Sequence, residues 1–287
     1  MTTDARDDDA AEAGTTVSSP PTRLWVLGSG SGGNAALVEH GDSRLLIDAG
    51  FEIVDLVARI RAADAAPATI DDVVLTHGHR DHVLGAASGA RIYGWRLWAT
   101  LGTVWQWRAL RHAGVRPFEP GDSFRVGEFR IETAPTSHDV ADSAAVAVED
   151  ASGARVGYAT DLGTASADVE RVLSGVGALV LEANYDESML RDGPYPPALK
   201  ARVAADTGHL GNAQAARLAR AVAHDGLAHV VLAHVSRHNN TPALALAAVG
   251  ESLRATPFRG ALHAAAQDEV LGPLLVPAGA AAAPRPR

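Results

Sequence analysis

Residues 71–82 read DDVVLTHGHRDH. The first six have the length and β-branched content of a short buried strand. Directly after it, His77, His79, Asp81 and His82 crowd into one six-residue loop. Transition metals favour imidazole and carboxylate where thiolate is lacking. A solvent-facing loop in the middle of a chain has no other need for four such groups. A site built on two metals needs further ligands, and three candidates occupy matching places. His138 lies just past the strand FRIETAP, Asp161 just past ARVGYAT, and His234 at the end of HVVLAH. Each stands where a strand runs out into a loop. Strand ends on one rim of a layered fold converge, so all seven residues can meet.

The pattern around the loop supports such a fold. RLWVLGS (23–29), AALVEH (35–40) and RLLIDAG (44–50) read as strands, the first two joined by the glycine-rich turn GSGSGGN (28–34). Glu52–Ala63 has helical apolar spacing at Ile53, Leu56, Val57 and Ile60. A helix is expected over 100–113, and hairpins over 124–135, turning at Gly127, and over 143–160. Helix Ala167–Leu173, strand 178–184, a helix Gly211–Ala223 capped by Asn212, strand 229–235 and helix Pro242–Arg254 follow. ALHAA and VLGPLLV read as a closing strand pair. Meanders come first and strand–helix alternation second, twice over, which predicts an α/β (α+β) protein of two stacked sheets with helices outside. Residues 1–22 are expected to be a disordered acidic tail, 23–275 the folded catalytic domain, and 276–287 a disordered Ala/Pro-rich tail.

Composition narrows the classes further. The 287 residues are 47% hydrophobic and 21% charged, an ordinary globular mixture. No apolar run reaches the ~18 residues of a membrane span, and the acidic N-terminus has no signal-peptide core. The absence of cysteine removes disulfides, iron–sulfur clusters, thiolate zinc sites and a cysteine nucleophile together, and fits a cytoplasmic location. Net charge is −9, of which the tail 1–22 carries −4. A generally basic surface that grips nucleic acid is therefore not indicated, and any polyanion must be drawn by a local positive site.

The motif order, Asp48 at a strand end, THGHRDH at 76–82, then His138, Asp161 and His234, resembles the metallo-β-lactamase superfamily over the whole folded part. GSGSGGNAALVE (28–39), YATDLG (158–163), the run 181–216 from LEANYDESML to GHLGNAQAA, and LAHVSRHNNTPALA (232–245) are similar to its YycJ/WalJ group of bacterial proteins. The resemblance implies a four-layered αββα sandwich with a dinuclear site of divalent transition metals (Zn, Mn or Fe) at its open edge. It implies that His77, His79 and His138 bind one metal, that Asp81, His82 and His234 bind the other, and that Asp161 bridges them. Asp48 would stand behind, holding a ligand imidazole or the loop. Tyr185 departs from the pattern, which leads one to expect His after Asn184. Gly78 stands where relatives often carry Glu or Ala, with no consequence expected.

The group is associated with DNA exonucleases, so the resemblance implies a phosphodiesterase with DNA as substrate. Two divalent cations against Asp81 and Asp161 leave the site near about +2, enough to attract a phosphodiester despite the negative chain. Asp81 can orient the attacking water and take its proton. His238, four residues past His234, and His209 in TGHLGN are the candidate acids for the leaving oxygen; the competing reading of each is a capping or surface histidine. Arg237 and Asn239, on either side of His238, are the candidate substrate contacts. Arg91, Arg96, Arg108 and Arg111 interleave with Trp95, Trp98, Trp105 and Trp107. Such a mixture can grip single strands, but indoles packing helix on sheet are the commoner arrangement. The alternative function is a small-molecule metallo-hydrolase acting on a cyclic phosphodiester, lactone or thioester. A basic groove leading to the metals would favour nucleic acid, and a closed apolar pocket the small substrate.

Overall fold

Alternation along the first strand sets the layers. In β1 (Thr22–Gly28), Leu24 and Val26 enter one apolar cluster while Trp25 and Leu27 enter another, and all four are buried. A strand buried on both faces must lie between two layers. The computed structural model describes residues 19–279. Its first half continues with β2 (Ala35–His40), β3 (Ser43–Ile47), α1 (Ile53–Ala62), β4 (Asp72–Val74), α2 (Arg80–Val83), α3 (Ala86–Tyr93), β5 (Arg96–Thr100), α4 (Leu101–Gln106) and β6 (Arg116–Phe118). The second half holds β7 (Ser123–Val126), β8 (Phe129–Pro135), β9 (Ala144–Glu149), β10 (Arg155–Ala159), α5 (Ala167–Leu173) and β11 (Ala178–Glu182). It ends with α6 (Glu187–Asp192), α7 (Pro197–Val203), α8 (Asn212–Val222), β12 (His229–Ala233), α9 (Pro242–Leu253), β13 (Ala261–Ala264) and β14 (Leu271–Val276).

The strands form two seven-stranded sheets, ordered β14-β1-β2-β3-β4-β5-β6 and β13-β12-β11-β10-β9-β8-β7. Each is antiparallel at its meander end and parallel where helices cross over. The facing sides meet in one core that includes Val38, Ile47, Ile131, Val148, Tyr158 and Val180. Leu56 and Ile60 of α1 cover the outer face of the first sheet. Val172 of α5, Leu218 of α8 and Val249 of α9 cover that of the second. The result is the expected four-layered αββα sandwich.

Several local expectations are corrected. The closing strands are not a pair: β13 adds parallel to β12, while β14 adds antiparallel to β1 in the other sheet. The link between them crosses from one sheet to the other. Residues 100–113 are not one helix, because Trp107 is extended and its indole N–H donates to the Gly78 carbonyl at 2.6 Å. Asn212 does not cap α8. Gly211 holds that place, its N–H donating to Gln214 Oε1 at 2.8 Å, while Asn212 is buried and bonded to Asn240. Thr22 and Val276, assigned to the tails, pair with each other across β1 and β14; residues 1–18 and 280–287 of those tails lie outside the described residues. Among the described residues no helix is long and apolar enough to cross a membrane.

Candidate metal centre

The ends of β3, β4, β8, β10, β11 and β12 reach one edge of the sandwich, and the loops leaving them carry the predicted residues. Three of those residues, Asp48, Asp161 and His234, have left-handed backbone, with φ of 62°, 58° and 53°. Side-chain-bearing residues adopt this region only at a cost, and they concentrate at functional sites. Here each turns out of its strand just as the strand ends. The 77–82 loop is pinned from behind: the Asp81 carbonyl accepts from the Asn34 N–H at 2.8 Å and the His82 carbonyl from the Ala49 N–H at 2.8 Å.

All seven predicted ligands converge. His77, His79 and His138 each bring one donor atom within 4.8 Å of the others, and so do Asp81, His82 and His234. Asp161 lies between the two triads. Its Oδ1 is 3.6 Å from His138 Nε2, and its Oδ2 is 3.0 Å from His82 Nε2. Several imidazoles have one nitrogen engaged by the protein and the other turned inward. His138 Nδ1 donates to the Gly208 carbonyl at 3.0 Å, His82 Nδ1 lies 2.6 Å from Asp48 Oδ2, and His234 Nδ1 lies 3.0 Å from Glu182 Oε1. Such outer partners fix which nitrogen keeps its lone pair for a metal. Asp48 thus stands where the resemblance implies, and it also accepts from the Thr76 N–H at 2.8 Å.

Electrostatics at the centre follow from burial and from these carboxylates. Burial holds His77 well below the ordinary imidazole range, helped by His82 beside it, so its ring is neutral. Burial also acts on His82, but Asp48 and Asp161 outweigh it and hold that ring well above the ordinary value. His234 is likewise buried and is raised by Asp161, Asp81 and Glu182. Asp161 stays ionised in spite of burial, because His234 and His82 flank it. The carboxylates call for positive charge around them, and they raise the pKa of His82, His234 and His209 alike.

The donor set suits a metal. Among the described residues, six buried side-chain polar atoms lack a hydrogen-bond partner, and three of them are His77 Nε2, Asp161 Oδ2 and His234 Nε2. Buried polar atoms are nearly always paired, so three orphans converging here, all of ligand type, mark a place for ions.

The other predicted residues divide. His209 belongs to the centre: its Nδ1 donates to Glu182 Oε1 at 2.8 Å and its ring lies 5.1 Å from that of His234. It lines an open polar cleft of ≈ 180 Å³ together with His138, Asp139, Arg202 and Asn239. His238 is not brought to the ligands. It is exposed on the loop after β12, and its ring lies 5.8 Å from that of Tyr195. Arg237 is exposed and paired with Asp268 at 2.6 Å. Both line a second, larger groove of ≈ 830 Å³. That groove adjoins the first at Ser31, Tyr195 and Ser236. Tyr185 is buried against Leu190 and Val203 and fills a packing role. At Gly78 a Cβ would lie 2.4 Å from Gln106 Oε1, the end of a flexible side chain on α4 that can move aside.

Three supporting residues escaped the sequence. Glu182 is fully buried between His209 and His234, and its other oxygen accepts from the Leu162 and Leu210 N–H groups at 2.8 and 3.0 Å. It remains ionised, its pKa held to about 2 by His209 and His234 against burial. Asn34 brings its Nδ2 to 3.1 Å from His82 Nε2 and 3.3 Å from Asp81 Oδ2. Ser29 Oγ accepts from the His234 N–H at 2.8 Å and donates to Asn34 Oδ1. GSGSGGN is therefore a turn that clasps the centre. Only Glu182 left a trace in the sequence, as a carboxylate ending an apolar strand in the manner of Asp48.

Residues 43–235 match the family described as the Beta-lactamase superfamily domain. The Exodeoxyribonuclease YycJ of Bacillus anthracis is 33% identical over 240 residues, covering 81% of this chain and 89% of that protein. The Exodeoxyribonuclease WalJ of Streptococcus pneumoniae is 30% identical over 230 residues, covering 77% and 84%. The metallo-beta-lactamase fold protein YhfI of Bacillus subtilis has a similar solved structure, with TM-score 0.68 and 19% identity, over 88% of this chain and 100% of that one. Sequence, fold and ligand order agree: the chain belongs to the metallo-β-lactamase superfamily, on the branch that includes YycJ and WalJ.

Proposed function

We propose that this chain is a metal-dependent exodeoxyribonuclease that hydrolyses phosphodiester bonds from an end of DNA. The observation that carries the reading is the pair of triads on either side of Asp161, which would suit two divalent cations of the zinc, manganese or iron kind. His77, His79 and His138 would hold one cation, and Asp81, His82 and His234 the other. Paired cations supply an activated water and charge neutralisation for in-line displacement at phosphorus. The relatives named exodeoxyribonucleases support DNA as the substrate, and a cytoplasmic location goes with it.

The chain's own residues then divide the work. Asp81, the more exposed of the two inner carboxylates with 23% of its side chain accessible, is placed to orient the attacking water. Glu182 fixes the His209 ring through Nδ1, which leaves Nε2 as the nitrogen able to protonate the leaving oxygen. Burial opposes a charge on His209, but Glu182 and then Asp161 raise its pKa above the ordinary value, so it keeps a proton to give. Arg237, Asn239 and His238 lie along the two adjoining clefts, where they would position the polymer beyond the scissile bond. The cleft at the ligands is open and polar, unlike the closed apolar pocket expected of a small-substrate hydrolase.

The test uses manganese- or zinc-loaded protein with end-labelled linear DNA and with a closed circle. Linear DNA should be degraded from its ends, less so as salt rises because polyanion binding releases counterions. Chelators should stop the reaction. Cutting of the circle at a comparable rate would exclude an exonuclease. Hydrolysis of a small phosphodiester or lactone with both DNAs intact would establish the small-molecule alternative.

A further inference from the structure

Among the described Phe, Tyr and Trp residues, Trp105 is the one that is exposed, at 66%. It sits on α4 four residues after Leu101, which is 52% exposed, so the two share a helix face. An indole left in water forgoes burial that the other four tryptophans of the chain obtain in full or in part. Contiguous exposed apolar surface of this kind marks interaction sites.

The position of α4 says what the face is for. The helix is wedged between the two loops that carry the first triad. On one side the Gln106 side chain fills the space above Gly78, and the Trp107 indole holds the Gly78 carbonyl. On the other, the Gly102 N–H donates to Asp142 Oδ2 at 2.9 Å, in the loop that follows His138. Any strand reaching His77, His79 and His138 from this side passes α4 first.

The surroundings are basic as well as apolar. The Arg111 guanidinium lies over the Trp105 ring, 5.1 Å from its centroid, and also donates to the Trp105 carbonyl. The indole is thereby held against a cation while 66% of the residue remains exposed. Arg108, three residues on, is exposed and pairs with no carboxylate among the described residues. An aromatic plane flanked by arginines matches a single strand, which offers a base to stack and phosphates to neutralise.

Resting on the exodeoxyribonuclease reading, we propose that the Leu101–Trp105 face of α4 is a nucleobase platform, on which an unpaired DNA strand stacks beside the first metal triad. The substrate end is therefore single-stranded, either from the start or after fraying. Arg111 acts as a positioning residue, holding the indole and meeting the neighbouring phosphate.

The test compares the metal-loaded wild type, W105A and W105F. The substrates are a single-stranded oligonucleotide, a blunt duplex and a small chromogenic phosphodiester that does not extend to α4. W105A should raise KM for the single strand roughly tenfold, equal to about 1.4 kcal/mol of lost stacking, with a smaller change on the duplex. W105F should recover most of the affinity, and small-diester hydrolysis should stay at the wild-type level in both variants. An unchanged KM in W105A, while wild type degrades DNA, overturns the platform and leaves the nuclease reading standing. A parallel fall on the small diester would make Trp105 a support of the ligand loops and overturn it too. A wild type that leaves DNA intact sinks both readings. A wild-type dimer converted by W105A to a monomer would assign the face to a second copy of the chain instead.

Discussion

Glu182→Gln changes one oxygen of the centre's support into an amide nitrogen, and the geometry predicts a forced choice. One carboxylate oxygen accepts from Nδ1 of His209 and of His234, at 2.8 and 3.0 Å. The other accepts from the N–H groups of Leu162 and Leu210, at 2.8 and 3.0 Å. The side chain is wholly buried, so water cannot substitute. An amide has a single oxygen and can serve only one side. With that oxygen toward the histidines, two buried backbone donors face an NH2, at roughly 1–3 kcal/mol each, or about 2–6 kcal/mol of stability. With it toward the backbone, both imidazoles must shift their proton to Nε2, and His234 loses the lone pair it would offer a metal. Affinity at that site should then fall about 10–100-fold. Chelator competition reads the second outcome, and urea unfolding of the EDTA-treated protein reads the first. A variant with wild-type values in both measurements would refute the role given to Glu182.

The same carboxylate makes the bare protein sensitive to acid. Its pKa is depressed in the fold, so its stabilisation is complete above the ordinary value of 4.5 and is lost as pH falls toward about 2. The urea midpoint of the EDTA-treated wild type should drop more steeply across that window than that of E182Q, and equal slopes would contradict this. Gly50→Ala should be severe although no ligand changes, because its Cβ would lie 1.7 Å from the Asp81 carbonyl oxygen. We expect a loss of about 3 kcal/mol together with reduced metal content by elemental analysis; wild-type melting temperature and loading would show that the loop yields freely.

The features legible in the sequence are those that chemistry and periodicity write locally. Four ligand-type residues within 77–82 announce themselves, and His138, Asp161 and His234 were found because each follows an apolar run of strand length. The layers were legible because meander and alternation recur twice. What escaped depends on partners far along the chain. Glu182 looks like any acid at a strand end until the turn of β12 brings His234 onto it from 52 residues away. Asn34 and Ser29 sit in a turn whose glycines suggest a tight bend near the active-site edge, but not which of its side chains reach the ligands. β13 and β14 lie so close in sequence that they read as a hairpin, and only the edge vacancies in two different sheets separate them. His238 follows His234 by only four residues, yet it is exposed while its neighbour Asn239 is buried.

Left-handed backbone at three strand ends links the site to the sheets. Asp48, Asp161 and His234 are aimed by main-chain conformation, and main-chain conformation is settled when the sheets assemble. The directions in which these three side chains leave the backbone are therefore set by the same event that forms the core. Substitutions that disturb the sheets near these strand ends should therefore lower metal content even where every ligand is retained. The chain accepts three locally unfavourable residues and in return ties the direction of these side chains to the folding of its sheets.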